Sequence, residues 1–209
     1  MELNEYWRNP CGLLSIPYWK QQRIHLPANM KILHQRDFSE EAAEGYRDQV
    51  YFRLQHSLDH IPRIHAVGFR MEDTSLQDAH VIADIISRSY QDIRMTESRV
   101  RAMGSSIAYC PSLWVMAREI ATGQVVGCII GEFDPASGEM SIEWVQVLPQ
   151  FRRRGIGAAM VTEFLHRAPT GTRFVTVSGQ VDNDTHPEEL YRRCGFTGND
   201  YWHILTKEN

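Results

Sequence analysis

The sequence predicts a mixed α/β fold of the α+β class, in which helices flank one central sheet. Apolar and β-branched runs of strand length recur between residues 66 and 206, and amphipathic helical patterns separate them. One of these strands continues through a glycine-containing turn directly into a helix, between residues 142 and 165. Strands in succession, with helices before and after them, are typical of a sheet covered by helices.

Length and composition are those of an ordinary globular protein. The 209 residues are sufficient for one well-buried domain, or for one domain with an additional segment. Hydrophobic residues make up 43% of the chain, charged residues make up 23%, and the net charge is −4. This charge argues against nucleic acid as the main partner, and no apolar run has the length of a membrane span. We expect neither a nucleic-acid nor a membrane partner, and the oligomeric state stays open.

Cysteines and histidines give no sign of a metal site. The four cysteines lack a Cys-x-x-Cys pair, which favours reduced thiols in a cytosolic protein over a disulfide framework. His56, His60 and His65 are close in sequence, but no cysteine or carboxylate joins them at ligand spacing. The first residues lack the positive charge of a signal peptide. We therefore expect a cytoplasmic protein without a metal.

The chain changes character near residue 66, which predicts a division into residues 1–66 and 67–209. A capping signal at Ser39 precedes a spacing typical of one helical face, which predicts a helix to about His56, with apolar residues at Ala43, Tyr46, Val50 and Leu54. Ile61-Pro62 breaks this pattern. We expect the first part to be an N-terminal extension, either a cap over a substrate cleft, a structural apron or a partial domain.

The second part predicts the element order β-α-α-β-β-β-α-β-α-β. The predicted strands comprise residues 66–71, 113–118, 125–131, 142–147, 174–178 and 201–206. The predicted helices comprise residues 76–90, 96–103, 156–165 and 187–194. Thr185 is expected to cap the last helix, with Glu188 as its capping-box partner and Gly195 as its end.

The turn between residues 147 and 156 predicts an anion site. The first N–H groups of a helix have no internal partner, and the helix dipole is positive there. Gly155 and Gly157 lack side chains and so allow a phosphate to approach the main chain, and three consecutive arginines can pair with it. A Gly-x-Gly alone is equally typical of a plain strand-to-helix turn. A dinucleotide-binding fold is disfavoured, because Met160 replaces the third glycine and the motif comes late in the chain.

Two segments resemble signatures of one known family. The run Arg152-Arg153-Arg154-Gly155-Ile156-Gly157, after a strand ending in Val-Leu-Pro, resembles the coenzyme A motif of the GNAT superfamily of acyltransferases. The run Leu190-Tyr191-Arg192-Arg193-Cys194-Gly195-Phe196 is similar to the Leu-Tyr-x-x-x-Gly-Phe segment of that family. The resemblance covers about two thirds of the chain, from about Val67 to the end. It implies a mostly antiparallel central sheet whose splayed strands bind acyl-CoA.

The resemblance also implies a set of cofactor-binding residues. The pantetheine would bond to the backbone around Val145 and Val147, and the pyrophosphate would lie on the amides of Arg152, Arg153, Arg154, Gly155, Ile156 and Gly157. Asn183 stands near the position of an asparagine that many members place beside the cofactor, although it is one residue further from the tyrosine.

Tyr191 and Glu143 are the candidate catalytic residues. The resemblance implies that Tyr191 donates a proton to the coenzyme A sulfur, whereas the alternative is a tyrosine packed in the core. Glu143 is the candidate base, because a carboxylate among apolar strand residues is costly unless it faces a polar cleft. Alternation would place it on the face of Val145 and Val147, and an outward-facing glutamate is the alternative.

Three further polar residues are expected near these candidates. Glu132 and Asp134 either bind the charge of an amine or are solvated loop carboxylates, and Gln146 points to the opposite face in a structural role. The implied function is an acetyl-CoA-dependent N-acetyltransferase. Its acceptor is a primary amine of an unidentified small molecule or peptide. The alternative is a non-catalytic acyl-CoA-binding or sensing protein.

Overall fold

The computed structural model describes residues 1–90 and 93–207. Eight strands form one sheet in the order β1-β8-β2-β7-β6-β5-β4-β3. In chain order the strands are β1 (Met30–His34), β2 (Tyr46–His56), β3 (Phe69–Asp73), β4 (Tyr109–Glu119), β5 (Val125–Asp134), β6 (Glu139–Val147), β7 (Phe174–Gln180) and β8 (Thr197–Lys207).

Helices cover this sheet. They are α1 (Leu3–Tyr6), α2 (Pro10–Leu13), α3 (Tyr18–Gln21), α4 (Glu40–Ala43), α5 (Ala79–Ser89), α6 (Glu97–Met103), α7 (Ile156–His166) and α8 (Pro187–Arg193). From β3 onward the elements follow the predicted order, and the mixed α+β class is confirmed. None of the helices in the described ranges is long and apolar enough to span a bilayer.

Strands β6 and β7 separate within the sheet. They are parallel, and α7 forms the crossover between them, whereas their neighbours pair in antiparallel fashion. Their register runs from Glu139 opposite Phe174 to Ile142 opposite Val177 and then stops, although both strands continue. The expected mostly antiparallel sheet with splayed strands is therefore present.

The predicted helix ending near His56 is wrong, because α4 ends after one turn and residues 46–56 form β2. Apolar residues four positions apart, such as Val50 and Leu54, share one face of a strand as well as one face of a helix. Gly45, at φ +75°, separates the two elements in a conformation that favours glycine. The aromatic and β-branched residues that follow favour a strand.

Strand β2 lies between β7 and β8 and pairs with both in antiparallel fashion. Residues 1–66 therefore supply β1 at one edge of the sheet and β2 in its interior. The sheet thus crosses the predicted boundary at residue 66. The division into two domains stays a prediction.

The expected cap of α8 is also wrong. His186, at φ +48°, occupies the N-cap position and makes no side-chain cap, while the Thr185 hydroxyl donates to Asn183 Oδ1 (2.6 Å). Pro187 then supplies the first helical residue, where its missing N–H costs nothing.

Helix α7 packs closely on the sheet. A side chain at Gly131 of β5 would lie 2.1 Å from Phe164, so the missing Cβ allows this approach. Ile156, Met160 and Val161 of the same helix are buried in the core. This packing fixes the start of α7 beside the separated ends of β6 and β7.

Candidate active site

The gap between β6 and β7 exposes backbone groups of β6. Leu148 N–H donates to the Val126 carbonyl (2.8 Å), so alternate residues of β6 bond to β5. The N–H and C=O groups of Val145 and Val147 consequently point away from β5 and toward the gap. These are the two residues expected to bind pantetheine. The Val147 carbonyl already accepts from Arg152 Nε (3.1 Å).

The start of α7 leaves its first amides without partners in the helix. Gly155 is the N-cap residue at φ +78°, without a side-chain cap, and the first intrahelical bond runs from Ala159 N–H to the Gly155 carbonyl (3.0 Å). The N–H groups of Ile156, Gly157 and Ala158 thus remain for an anion. These amides can donate to a diphosphate. There is also space for it beside Gly155, because a Cβ at this position would meet nothing within 4 Å.

Glycine is required at the two positions of this turn for different reasons. Gly155 adopts the left-handed conformation that glycine accepts without strain. A Cβ at Gly157 would lie 3.3 Å from Leu190, so this glycine allows α8 to pack against α7. The expectation that the missing side chains let a phosphate approach stays a prediction for both glycines.

The three arginines of the turn also differ. Arg152 donates to the Ser89 carbonyl (2.9 Å) as well as to Val147, so its side chain ties the turn to α5 and β6. The Arg153 and Arg154 side chains are exposed. Arg154 lies 3.6 Å from Glu119 and over the Phe151 ring. Arg153 and Arg154 are thus exposed, whereas Arg152 is held by backbone carbonyls, and of the exposed two Arg154 also has a carboxylate neighbour.

Asn183 lies in the loop between β7 and α8. Its side-chain oxygen accepts from the N–H (2.9 Å) and the hydroxyl of Thr185, which stabilises this loop. Its expected role beside the cofactor stays a prediction.

Tyr191 of α8 is buried and packs against the rings of Phe52 and Phe196. Burial, and to a smaller extent the nearby Tyr90 hydroxyl, raise the pKa of Tyr191 well above its usual value. Its phenol therefore stays protonated at neutral pH. The core packing of the alternative interpretation is therefore present, and the donation of a proton to the coenzyme A sulfur stays a prediction.

Glu143 lies at an irregularity of β6. Ile130 pairs with Trp144 and Gly131 pairs with Ile142, so Glu143 is an extra residue opposite β5. Such a bulge interrupts the alternation from which its face was expected. Its carboxylate accepts from Ser141 Oγ (2.9 Å) and forms an ion pair with Lys20 of α3. Glu143 is half-buried rather than fully exposed on an outer face.

Glu132 forms a carboxylate pair with Glu143. The Lys20 ammonium lies 3.4 Å from Glu132 Oε2, so one lysine contacts both carboxylates. Desolvation first, and the charge of Glu143 second, raise the pKa of Glu132 to about 7, although Lys20 opposes this shift. Glu132 is therefore not a solvated loop carboxylate but a largely buried carboxyl group on β5 whose pKa is raised.

Asp134 and Gln146 have structural contacts. Asp134 is buried and accepts from the Ser137 hydroxyl (2.6 Å) and the Ala136 N–H (3.1 Å), which closes the turn after β5. It is neither solvated nor directed at the carboxylate pair. Gln146 donates to the Tyr90 hydroxyl (2.8 Å), which agrees with its expected structural role.

A buried polar network fixes the N-terminal segment beside this site. Glu139 accepts from the Tyr6 hydroxyl (2.8 Å) and the Tyr18 N–H (2.9 Å), and it pairs with Arg53 of β2 at 3.0 Å. Arg53 and Glu139 are 2% and 0% exposed, so the pair is removed from water. The sequence shows both charges inside strands, but only the position of β2 brings them together. Sequence analysis missed this pair, and also missed Lys20.

A cavity of about 150 Å³ opens where β6 and β7 separate. Its lining includes Lys20, Arg53, Ser141, Glu143, Val177 and Ser178. Residues 15–17 close one side of it. Among the described residues, no group of three or more histidines, cysteines or carboxylates could hold a metal ion.

Comparison with known families finds a similarity over part of the chain. Residues 111–198 match the family model described as an acetyltransferase (GNAT) domain. This range contains the splayed strands β6 and β7, the turn at residues 152–157 and Tyr191. No curated protein sequence matches the chain significantly.

Solved structures share the fold. A GCN5-related N-acetyltransferase from Sphaerobacter thermophilus has a TM-score of 0.68 and 24% identity, over 91% of this chain and 64% of that protein. A GCN5-related N-acetyltransferase from Kribbella flavida has a TM-score of 0.59 and 16% identity, over 86% and 68% of the two chains. The diaminobutyrate acetyltransferase EctA from Paenibacillus lautus has a TM-score of 0.51 and 16% identity, over 66% and 95%.

Residues 111–198 are thus similar to a GNAT acetyltransferase domain, and the solved structures show that the chain shares the fold of such proteins. The chain spans 64% of the length of the Sphaerobacter protein.

Proposed function

We propose that this protein is an acetyl-CoA-dependent N-acetyltransferase that acts on a cationic primary amine. The observation that carries the proposal is the juxtaposition of the Glu132–Glu143 pair with the gap between β6 and β7. The gap has free backbone groups on β6 and leads to the unpaired amides of α7. Among the similar structures, the Paenibacillus lautus enzyme is described in complex with L-2,4-diaminobutyric acid and coenzyme A.

Acetyl-CoA would supply the acetyl group as a thioester. The backbone groups of Val145 and Val147 bind its pantetheine as an added strand would be bound, and one N–H polarises the thioester carbonyl. The amides at the start of α7, with Arg153 and Arg154, bind the diphosphate.

The side chains of the site move protons. Glu143 attracts the ammonium form of the acceptor, and Glu132, whose pKa is raised to about 7, accepts its proton. Tyr191 keeps its proton at neutral pH and gives it to the departing sulfur. Glu143, the base expected from sequence, thus shares its role with Glu132.

Calorimetric titration with acetyl-CoA tests the anion-binding turn. We expect Arg153→Ala and Arg154→Ala each to weaken binding on the order of tenfold, because each removes an exposed cation facing the diphosphate. Arg8→Ala is the matched control. Arg8 is exposed and comes two residues after Tyr6, whose hydroxyl donates to Glu139 at the start of β6, the end opposite the turn. Equal affinity of all three variants and the unmodified protein would contradict this binding mode.

Replacement of Tyr191 by phenylalanine separates an enzyme from a sensor. We expect kcat for amine acetylation to fall about 10²-fold, with little change in acetyl-CoA affinity, because only the transferable proton is lost. Tyr201→Phe, which removes a hydroxyl bonded to Glu188 of the same helix, is the matched control. Unchanged turnover of Tyr191→Phe would remove Tyr191 from the mechanism, and absence of turnover in every form would favour a sensing protein.

A further inference from the structure

Lys20 presents a primary amine to the carboxylates of the proposed active site. It belongs to α3, and its Nζ forms an ion pair with Glu143 and lies 3.4 Å from Glu132. Its side chain is 21% exposed. The chain has two other lysines, Lys31 and Lys207, and both are exposed. Lys20 is thus the lysine held at the site.

The position of this amine is that of an acceptor. Lys20 lines the cavity at the point where β6 and β7 separate, together with Ile142, Glu143 and Val177. The pairing of the two strands ends at Ile142 and Val177, so the amine lies where the gap begins. Glu132, with its pKa of about 7, lies beside this amine and can take its proton.

The segment that carries Lys20 is held firmly in place. The Tyr18 N–H donates to Glu139, and the Ser15 carbonyl accepts from Ser178 Oγ at 3.4 Å and from Arg53 at 3.5 Å. Both contacts lead to the buried network. A nucleophile fixed by its own chain reacts without the entropy cost of bringing a second molecule to the site.

We propose that Lys20 is itself an acetyl acceptor of this protein. The inference rests on the function proposed above. The Lys20 ammonium gives one proton to Glu132, and its Nζ attacks the thioester carbonyl of acetyl-CoA. The new N–C bond forms and the C–S bond breaks. The nitrogen loses its second proton to Glu143, and the sulfur takes a proton from Tyr191 and leaves as coenzyme A thiol. Both carboxylates then release their protons to solvent and Tyr191 regains one, so the products are the amide, the thiol and one proton. Each chain accepts one acetyl group.

Acetylation changes the charge of the site. An acetylated lysine is neutral and no longer forms an ion pair. Glu132 and Glu143 then lose the cation that they share, and become available to the ammonium of another acceptor. Acetylation of Lys20 in the first turnover would therefore leave the two carboxylates unpaired for later turnovers.

The experiment is incubation of the full chain with acetyl-CoA and without added amine, followed by mass spectrometry of the intact protein and its peptides. We expect one acetyl group at Lys20, with Lys31 and Lys207 as exposed internal controls that stay at background. Glu143→Gln and Glu132→Gln are expected to reduce Lys20 acetylation at least tenfold, while the background at the other two lysines stays unchanged.

A second measurement tests the ion pair without any acetyl-CoA. Lys20→Gln leaves the two carboxylates without their cation, so its melting temperature should fall further below the unmodified protein at pH 8 than at pH 5.5. Equal loss at both pH values would overturn the inference.

The acetylation outcomes are distinct. Acetylation of all three lysines to the same extent, or of Lys20 unaffected by Glu143→Gln, would show a spontaneous reaction and overturn the inference. An unmodified Lys20 in a protein that acetylates added amines would overturn it while the proposed function stands. An unmodified Lys20 in a protein that neither binds acetyl-CoA nor acetylates any amine would contradict both.

Discussion

Replacement of Glu132 by glutamine is expected to lower kcat/KM for amine acetylation by about 10²-fold or more, because it removes the group proposed to accept the proton of the amine. The unmodified protein should gain activity as the pH rises through about 7, where Glu132 loses its proton. This rise in activity near pH 7 should be absent when the activity of Glu132→Gln is measured against pH. Initial rates between pH 5.5 and 9 measure both effects.

The stability of the same variant gives an independent check. The folded-state pKa of Glu132 lies above its unfolded value, so the stability that it contributes is complete below the unfolded pKa and is lost as the pH rises through about 7. Glu132→Gln should therefore gain stability relative to the unmodified protein between pH 5 and 8. Glu41→Gln, at an exposed position of α4, is the control and should follow the unmodified protein. If the activity of Glu132→Gln still rose near pH 7 as it does in the unmodified protein, Glu132 would be excluded as the base.

Replacement of Arg53 by methionine is expected to lower the free energy of unfolding by about 3–5 kcal/mol, because it leaves the Glu139 carboxylate buried without its cation. Tyr6, Tyr18 and Thr176 still donate to Glu139, but hydrogen bonds alone do not neutralise a buried charge. Urea denaturation followed by circular dichroism measures the change.

A partly exposed pair is the matched control for this prediction. Arg118 and Glu72 are 27% and 25% exposed, at 2.7 Å, and Glu72→Gln should cost at most about 1 kcal/mol. The double variant Arg53→Met with Glu139→Leu should lose less stability than the sum of the two single variants, because neither partner remains as an isolated charge. A loss below 1 kcal/mol for Arg53→Met would show that β2 is not held by this pair.

Local features of the fold were accessible from the sequence. The turn at residues 152–157 and the helix after it depend on glycine conformation and apolar spacing over fewer than twenty residues, so their signal survives without tertiary context. The Leu190–Phe196 segment likewise corresponds to α8 and its end. The order of elements from residue 69 onward followed from such local signals.

Long-range features were not accessible. The spacing of Val50 and Leu54 fits both a helix and a strand, and only insertion between β7 and β8 decides for the strand. Lys20 meets Glu143 across 123 positions of the chain, and no local pattern indicates such a contact. The bulge at Glu143 depends on its pairing with β5, so alternation could not place that side chain.

Amine-dependent release of coenzyme A thiol from acetyl-CoA tests the central proposal most directly. The assay uses the full chain and a panel of cationic primary amines, with matched tertiary amines as controls. We predict thiol release that depends on a primary amine and falls about 10²-fold in Tyr191→Phe. Tight binding of acetyl-CoA without amine-dependent release for any amine in the panel would contradict the proposed transfer and favour an acyl-CoA-binding protein.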